Sequence, residues 1–138
     1  MKHLLILNDP PYGTERSFNG LRMAHVLAKH DPGGEVTVFL MADAVLCAKA
    51  GQKTPEGYCN LERMLGRVLS AKARVLMCGT CMDARGLTIP DMMEGAARST
   101  MDELAEATLA ADKVRSRPSS WCKFWDGHFG SSVRRRVW

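Results

Sequence analysis

Lys2-His3-Leu4-Leu5-Ile6-Leu7-Asn8-Asp9-Pro10-Pro11-Tyr12-Gly13-Thr14 opens the chain with a strand and its stop. Leu4–Leu7 is continuously apolar rather than alternating, which suits a strand buried on both faces. Pro10, Pro11 and Gly13 end it. Thr14 is the cap candidate of a helix with Glu15 and Arg16 in its first turn. Phe18, Leu21, Ala24 and Ala28 share a face of that helix.

The same alternation continues outward. Asp31-Pro32-Gly33-Gly34 is a turn, and Glu35–Met41 a second apolar strand. A short helical piece is expected over Ala42–Lys49 and a surface loop over Gly51–Cys59. Leu61, Met64, Leu65, Val68 and Leu69 then recur at helical spacing, with Asn60 as cap candidate. Arg74–Cys78 is the third strand. Thr88–Gly95 is ambiguous, with Pro90 able to open a helical turn at Asp91–Glu94. Thr100 and Glu103 form a capping-box pattern for a helix over Met101–Ala110, whose expected buried stripe is Met101, Leu104, Ala105, Thr108 and Leu109. Strands separated by helices imply βαβ units and a mostly parallel sheet covered on both faces. Sites in such sheets form at the carboxyl ends of the strands. There the sequence puts Asn8–Thr14, read as a rigid pocket wall, and Cys78–Gly86.

The chain has 138 residues, 46% hydrophobic and 25% charged, the profile of one soluble globular domain. Its apolar runs are too short for a membrane span or a signal peptide, so a cytoplasmic setting without membrane contact is expected. The net charge of +4 is concentrated at the end: residues 115–138 carry +5, which leaves −1 for the first 114. The main domain therefore has no basic bias toward nucleic acid. Residues 115–138 also hold all three Trp (121, 125, 138) and show no clear period. Arg115-Ser116-Arg117-Pro118 fits a sheet poorly, so residues 1–114 are read as the α/β domain and 115–138 as a basic, disordered tail.

Cys78-Gly79-Thr80-Cys81 is the strongest local signal of chemistry. Two thiols at this spacing suit disulfide exchange, metal ligation or sulfur handling. The end of a buried strand leaves a thiol accessible yet held by the core. A helical turn after it, and a cation such as Arg85, would favour the thiolate. Zinc is poorly supported: Cys47 and Cys59 make no second close pair, and the histidines at 3, 25, 30 and 128 are scattered. Cys47 and Cys59 read as packing thiols. No P-loop or dinucleotide fingerprint follows the first strand. No metal and no organic cofactor is expected.

These residues together resemble the DsrE/DsrF-like family of small sulfur-relay proteins, and within it the homohexameric YchN-like branch. The resemblance rests on Asn8–Thr14, Phe39–Val45, Gly51-Gln52-Lys53 with Glu56-Gly57-Tyr58, Cys78–Gly86, and Leu104-Ala105 through Ala111-Asp112-Lys113-Val114. It implies a flavodoxin-like three-layer α/β/α fold with a mostly parallel five-stranded sheet, and commonly a hexamer. It also implies a sulfurtransferase role in which a cysteine matching Cys78 accepts sulfur as a persulfide, exchanging it with donor and acceptor proteins. Cys81 is an additional thiol shared with the YchN-like branch. The chain departs from the family at Cys59 and at Arg115–Trp138, which replaces an apolar last strand as a frameshift or an appended extension would. Two other classes remain open: a dithiol redox protein cycling Cys78 and Cys81, and a non-catalytic assembly subunit.

Overall fold

The computed structural model describes residues 1–116. Five strands, β1 (Lys2–Leu7), β2 (Glu35–Leu40), β3 (Arg74–Cys78), β4 (Ala96–Ser99) and β5 (Lys113–Ser116), form one sheet in the order β4-β3-β2-β1-β5. Every pairing is parallel. The chain steps outward from β1 to β4 and then returns to the other side of β1. With right-handed crossovers, that reversal puts the helices of the outward steps on one face and the helix of the return on the other. The outward helices are α1 (Arg16–His30), α2 (Leu61–Ser70) and the short α3 (Gly79–Ala84); the return helix is α4 (Met101–Ala110). This is the flavodoxin-like α/β/α layering that the family resemblance implied.

Register divides the core. Leu5, Leu7, Val38, Leu40 and Met77 share one face of the sheet, and Leu4, Ile6, Phe39, Leu76 and Cys78 the other. On the first face α1 approaches closely at Gly20, where a Cβ would stand 2.6 Å from a Leu7 methyl carbon. Leu21 and Ala24 of α1 and Leu61, Leu65 and Val68 of α2 complete that layer. Asn60 caps α2 as expected, its side chain accepting from Arg63 N at 3.0 Å. Among the described residues, no helix is long and apolar enough to cross a membrane.

Several elements differ from the sequence reading. The first helix starts at Arg16 rather than at Thr14; Thr14 Oγ1 accepts only a 3.3 Å bond from Arg16 N, and Ser17 Oγ donates back to Asp9 O at 2.6 Å. The turn near Pro90 is a 3-10 segment at Ile89–Asp91, where Asp91 accepts from both Thr88 N and Thr88 Oγ1. Strand β4 follows, in a stretch the sequence left unassigned. Ala96-Ala97-Arg98-Ser99 has no β-branched residue to mark it and pairs only with β3.

Helix α4 has the expected span and Thr100 cap, and Leu104 is buried as expected, but the rest of the expected stripe is not. Met101 is 55% and Leu109 89% exposed, and Ala105 and Thr108 also face solvent. The packed stripe is instead Leu104, Ala107 and Ala111, whose small alanines let the backbone lie close to the sheet. The last strand also reaches past Val114. Arg115 and Ser116 pair with Leu5 and Ile6. The edge position makes this affordable: Arg115 is only half-buried, and its Nη1 lies 3.5 Å from His3 Nδ1. The readings for Arg117, Pro118, Trp121, Trp125 and Trp138 lie outside the described residues.

Candidate functional site

Strand β3 ends at Cys78, and α3 begins at the next residue with Cys78 as its N-cap. There is no intervening loop: the helical turn expected after the motif contains it. Strand end and helix start together fix the backbone of both thiols. Cys78 is 4% exposed, on the α4 face of the sheet. Cys81 is half-buried one turn along α3.

The two thiols interact. Burial raises the Cys81 thiol above the ordinary cysteine range, and the neighbouring Cys78 pushes it the same way. Two groups oppose them. Ala42 N donates to Cys81 Sγ at 3.2 Å, and the positive charge of Arg85 favours the thiolate. Ala42 sits where β2 gives way to the 3-10 segment Ala42–Ala48, in the left-handed region with φ 48°. Its conformation turns the chain and aims the N–H at the sulfur.

Arg85 stands at the end of α3. Its Nε and Nη2 donate to Asp43 Oδ1 at 3.0 and 2.8 Å, and Nη1 to Cys81 O at 3.1 Å. The structure therefore gathers Cys78, Cys81 and Arg85, but Arg85 is turned to Cys81 and shares its charge with Asp43. A second guanidinium belongs to the site. Arg98 of β4 donates from Nη1 and Nη2 to the two carboxylate oxygens of Asp83 at 2.8 Å each. This fork holds the Asp83 carboxyl below the usual carboxylate range. Ala42, Asp43, Asp83 and Arg98 were not singled out as site residues. Asp43 and Asp83 lay within stretches already quoted, but their partners are 42 and 15 residues away. Arg98 lay in the unmarked strand.

The other thiols lie elsewhere. Cys47 is fully buried beside Ser17, and burial pushes its thiol up to about 12. Cys59 borders a cavity of about 330 Å³ walled by Pro11–Glu15, Phe18, Tyr58 and Leu61, so Asn8–Thr14 does shape a pocket. The lining of that pocket includes neither Cys78 nor Cys81. Gln52 braces the loop beside it, accepting from Tyr12 OH at 2.6 Å and donating to the carbonyls of Cys47 and Lys49 at 2.9 Å each. Among the described residues no cluster of three or more His, Cys, Asp or Glu side chains could hold a metal ion.

Comparison with known proteins agrees with this architecture. Residues 1–114 match the model of the DsrE/DsrF-like family. Protein YchN of Escherichia coli is 40% identical over 113 residues, which cover 82% of this chain and 96% of that protein. An uncharacterized protein of Methanocaldococcus jannaschii is 37% identical over 114 residues, 83% of this chain and 97% of its own. The crystal structure of the E. coli YchN protein superposes with a TM-score of 0.79 at 39% identity, covering 84% of this chain and 98% of that one. A Methanobacterium thermoautotrophicum protein of unknown function shares the fold with a TM-score of 0.64 at 10% identity.

Proposed function

The chain belongs to the DsrE/DsrF-like family, and from that premise we propose that it is a cytoplasmic sulfur carrier or sulfurtransferase acting through a persulfide on Cys78. One observation supports this best: Cys78, at the end of β3, sits beside a second thiol with two arginines close by. The Cys78 thiolate attacks the outer sulfur of a donor's persulfide. The donor's S–S bond breaks, the donor thiolate leaves, and Cys78 carries the sulfur as Cys–S–SH. An acceptor thiolate then attacks that outer sulfur and displaces the Cys78 thiolate. Cys81 can resolve the persulfide by attacking Cys78 Sγ, which forms the Cys78–Cys81 disulfide and expels hydrosulfide. Arg85 serves the negative charge at Cys81. At 4% exposure Cys78 is less accessible than the sequence reading expected of this nucleophile, because it is the last position of a buried strand.

Incubation with a low-molecular-weight persulfide and intact-mass measurement test the assignment. Cys81→Ser is expected to gain and keep the mass of one sulfur atom, and wild type to gain it until the Cys78–Cys81 disulfide forms. A Cys78→Ser protein that gains it as well as wild type overturns the reading. The proximity of the two thiols favours one alternative, dithiol redox cycling. A reversible Cys78–Cys81 disulfide poised near cytosolic glutathione, with no sulfur uptake, would select it.

We also propose a homohexamer, to be checked by light scattering: six chains are expected, and a monomer refutes it. The chemistry is assigned to the α/β domain. Removal of the segment after Ser116 is expected to leave sulfur uptake unchanged. A cut after Val114 removes the pairing of Arg115 and Ser116 with β1 as well and is expected to lower the melting temperature.

A further inference from the structure

We propose that the outer face of α4 in one copy docks on the outer face of α1 in the next, so that the chain assembles head to tail through two complementary helices. The inference rests on the reading of the protein as a homo-oligomer and names the surfaces that would build it. Each helix leaves an apolar stripe uncovered on the side away from the sheet. On α4, Met101, Ala105 and Leu109 recur at four-residue spacing and all are exposed. On α1, Met23 and Val26 stand together, each close to half exposed. Single exposed apolar side chains are ordinary on a monomer. Here, of seven large hydrophobic side chains exposed among the described residues, four lie on these two stripes, which marks them as surfaces to be covered.

Charge identifies the occupant as a second copy of the same chain. Helix α1 carries Arg16, Arg22 and Lys29 and no Asp or Glu. Helix α4 carries Asp102, Glu103 and Glu106 and no Lys, Arg or His. One member of each set is engaged within the chain: Arg16 Nη1 lies 3.9 Å from Asp9 Oδ1, and Glu103 accepts from Ser99 Oγ. Arg22 and Lys29 on one helix, and Asp102 and Glu106 on the other, have no ion-pair partner among the described residues. Glu106 borders a cavity with Lys2 and Arg74 but pairs with neither. Packing α4 on α1 buries the two apolar stripes against each other and sets unlike charges along their rims. Packing α1 on α1, or α4 on α4, would bring like charges together. The two helices lie on opposite faces of the sheet, so one neighbour cannot cover both. Each copy therefore engages two neighbours through different surfaces, and a closed assembly built this way is a ring.

Charge reversal on the full chain tests the pairing, with mass read by light scattering over a dilution series at low salt and folding checked by circular dichroism. Arg22→Glu with Lys29→Glu makes both faces acidic, and Asp102→Lys with Glu106→Lys makes both basic. Each double variant is expected to associate on the order of a hundredfold more weakly than wild type. The chain carrying all four changes restores unlike charges, whatever the size of the ring, and is expected to recover most of the lost association. Leu109→Asp, at a position too exposed to burden the fold, is expected to dissociate as well. A double variant or a Leu109→Asp protein that assembles like wild type overturns the pairing, and so does a folded quadruple variant that associates no better than the doubles. A wild type that stays monomeric overturns both the oligomer and the pairing. A wild type that assembles in a number other than six, with variants behaving as expected, refutes the hexamer alone.

Discussion

Ala42→Gly is expected to stabilise the protein without disturbing Cys81. Ala42 holds φ 48°, where the Cβ of an L-residue crowds its own backbone. That conformation costs roughly 1–2 kcal/mol, while the extra freedom of glycine in the unfolded chain costs about 0.4–1 kcal/mol. At the middle of these ranges the net gain is about 0.8 kcal/mol. For the 116 described residues the unfolding entropy is about 240 cal/mol/K, so the melting temperature should rise by about 2–4 °C. The assay is differential scanning calorimetry at fixed protein concentration, since assembly would make the midpoint concentration-dependent. The bond from residue 42 N to Cys81 Sγ survives in this account. Glycine is comfortable at the same φ, and the turn is independently fixed by Ala44 N donating to Met41 O at 2.9 Å. The Cys81 midpoint, read by carbon-13 NMR of labelled cysteine β-carbons over a pH series, should therefore stay where it is. An unchanged or lower melting temperature refutes the strain. A stabilised protein whose Cys81 midpoint rises shows that the methyl group, not the turn, holds the N–H on the sulfur.

What the sequence disclosed follows the range of the interactions involved. β1, β2 and β3 were legible because each is a short apolar run, and α2 because its apolar period and Asn60 cap are local. Strand β4 was not legible, because its four residues are held by an edge pairing to β3 that leaves no periodic mark. For α4 the cap and span were local and readable, but its rotation was not. Which stripe faces the sheet is decided by contact with the far face, and close approach selected Ala107 and Ala111 over the bulkier Met101 and Leu109. The candidate site divides in the same way. The thiols are three residues apart and stood out, whereas Arg85–Asp43 and Arg98–Asp83 join groups from different elements. Arg115 was misread because a charge in a strand was weighed as though the strand were central. At the edge beside His3 the guanidinium keeps access to water.

Among the described residues Lys72 is the other left-handed non-glycine residue, and it ends α2 with Lys72 N bonded to Leu69 O and Ala73 N to Val68 O. Lys72→Gly is expected to be more stable than Lys72→Ala by about 1 kcal/mol in denaturant titration, and equal stabilities would deny the strain. Burial, and secondarily Arg115, hold His3 below the ordinary histidine range. Its contribution to stability is therefore complete above about pH 6.5 and lost as the pH falls through the folded value; His3→Gln should flatten stability between about pH 7 and 5. Cys47 makes the opposite prediction at high pH. Its folded value is about 12 against a reference of 9.0, chiefly through burial. A thiol raised in this way contributes stability that is fully present below the unfolded value. Above it the unfolded chain loses the proton while the fold retains it, so stability falls as pH rises toward the folded value. The slope is about 1.4 kcal/mol per pH unit, so this one group removes on the order of 4 kcal/mol between pH 9 and 12. Cys47→Ala leaves a small cavity and should lower stability at neutral pH, yet its alkaline slope should be shallower than wild type by about that amount. Urea unfolding at matched pH values gives both slopes. Parallel curves would mean that Cys47 ionises in the fold as readily as in the unfolded chain, and that its burial does not control its charge.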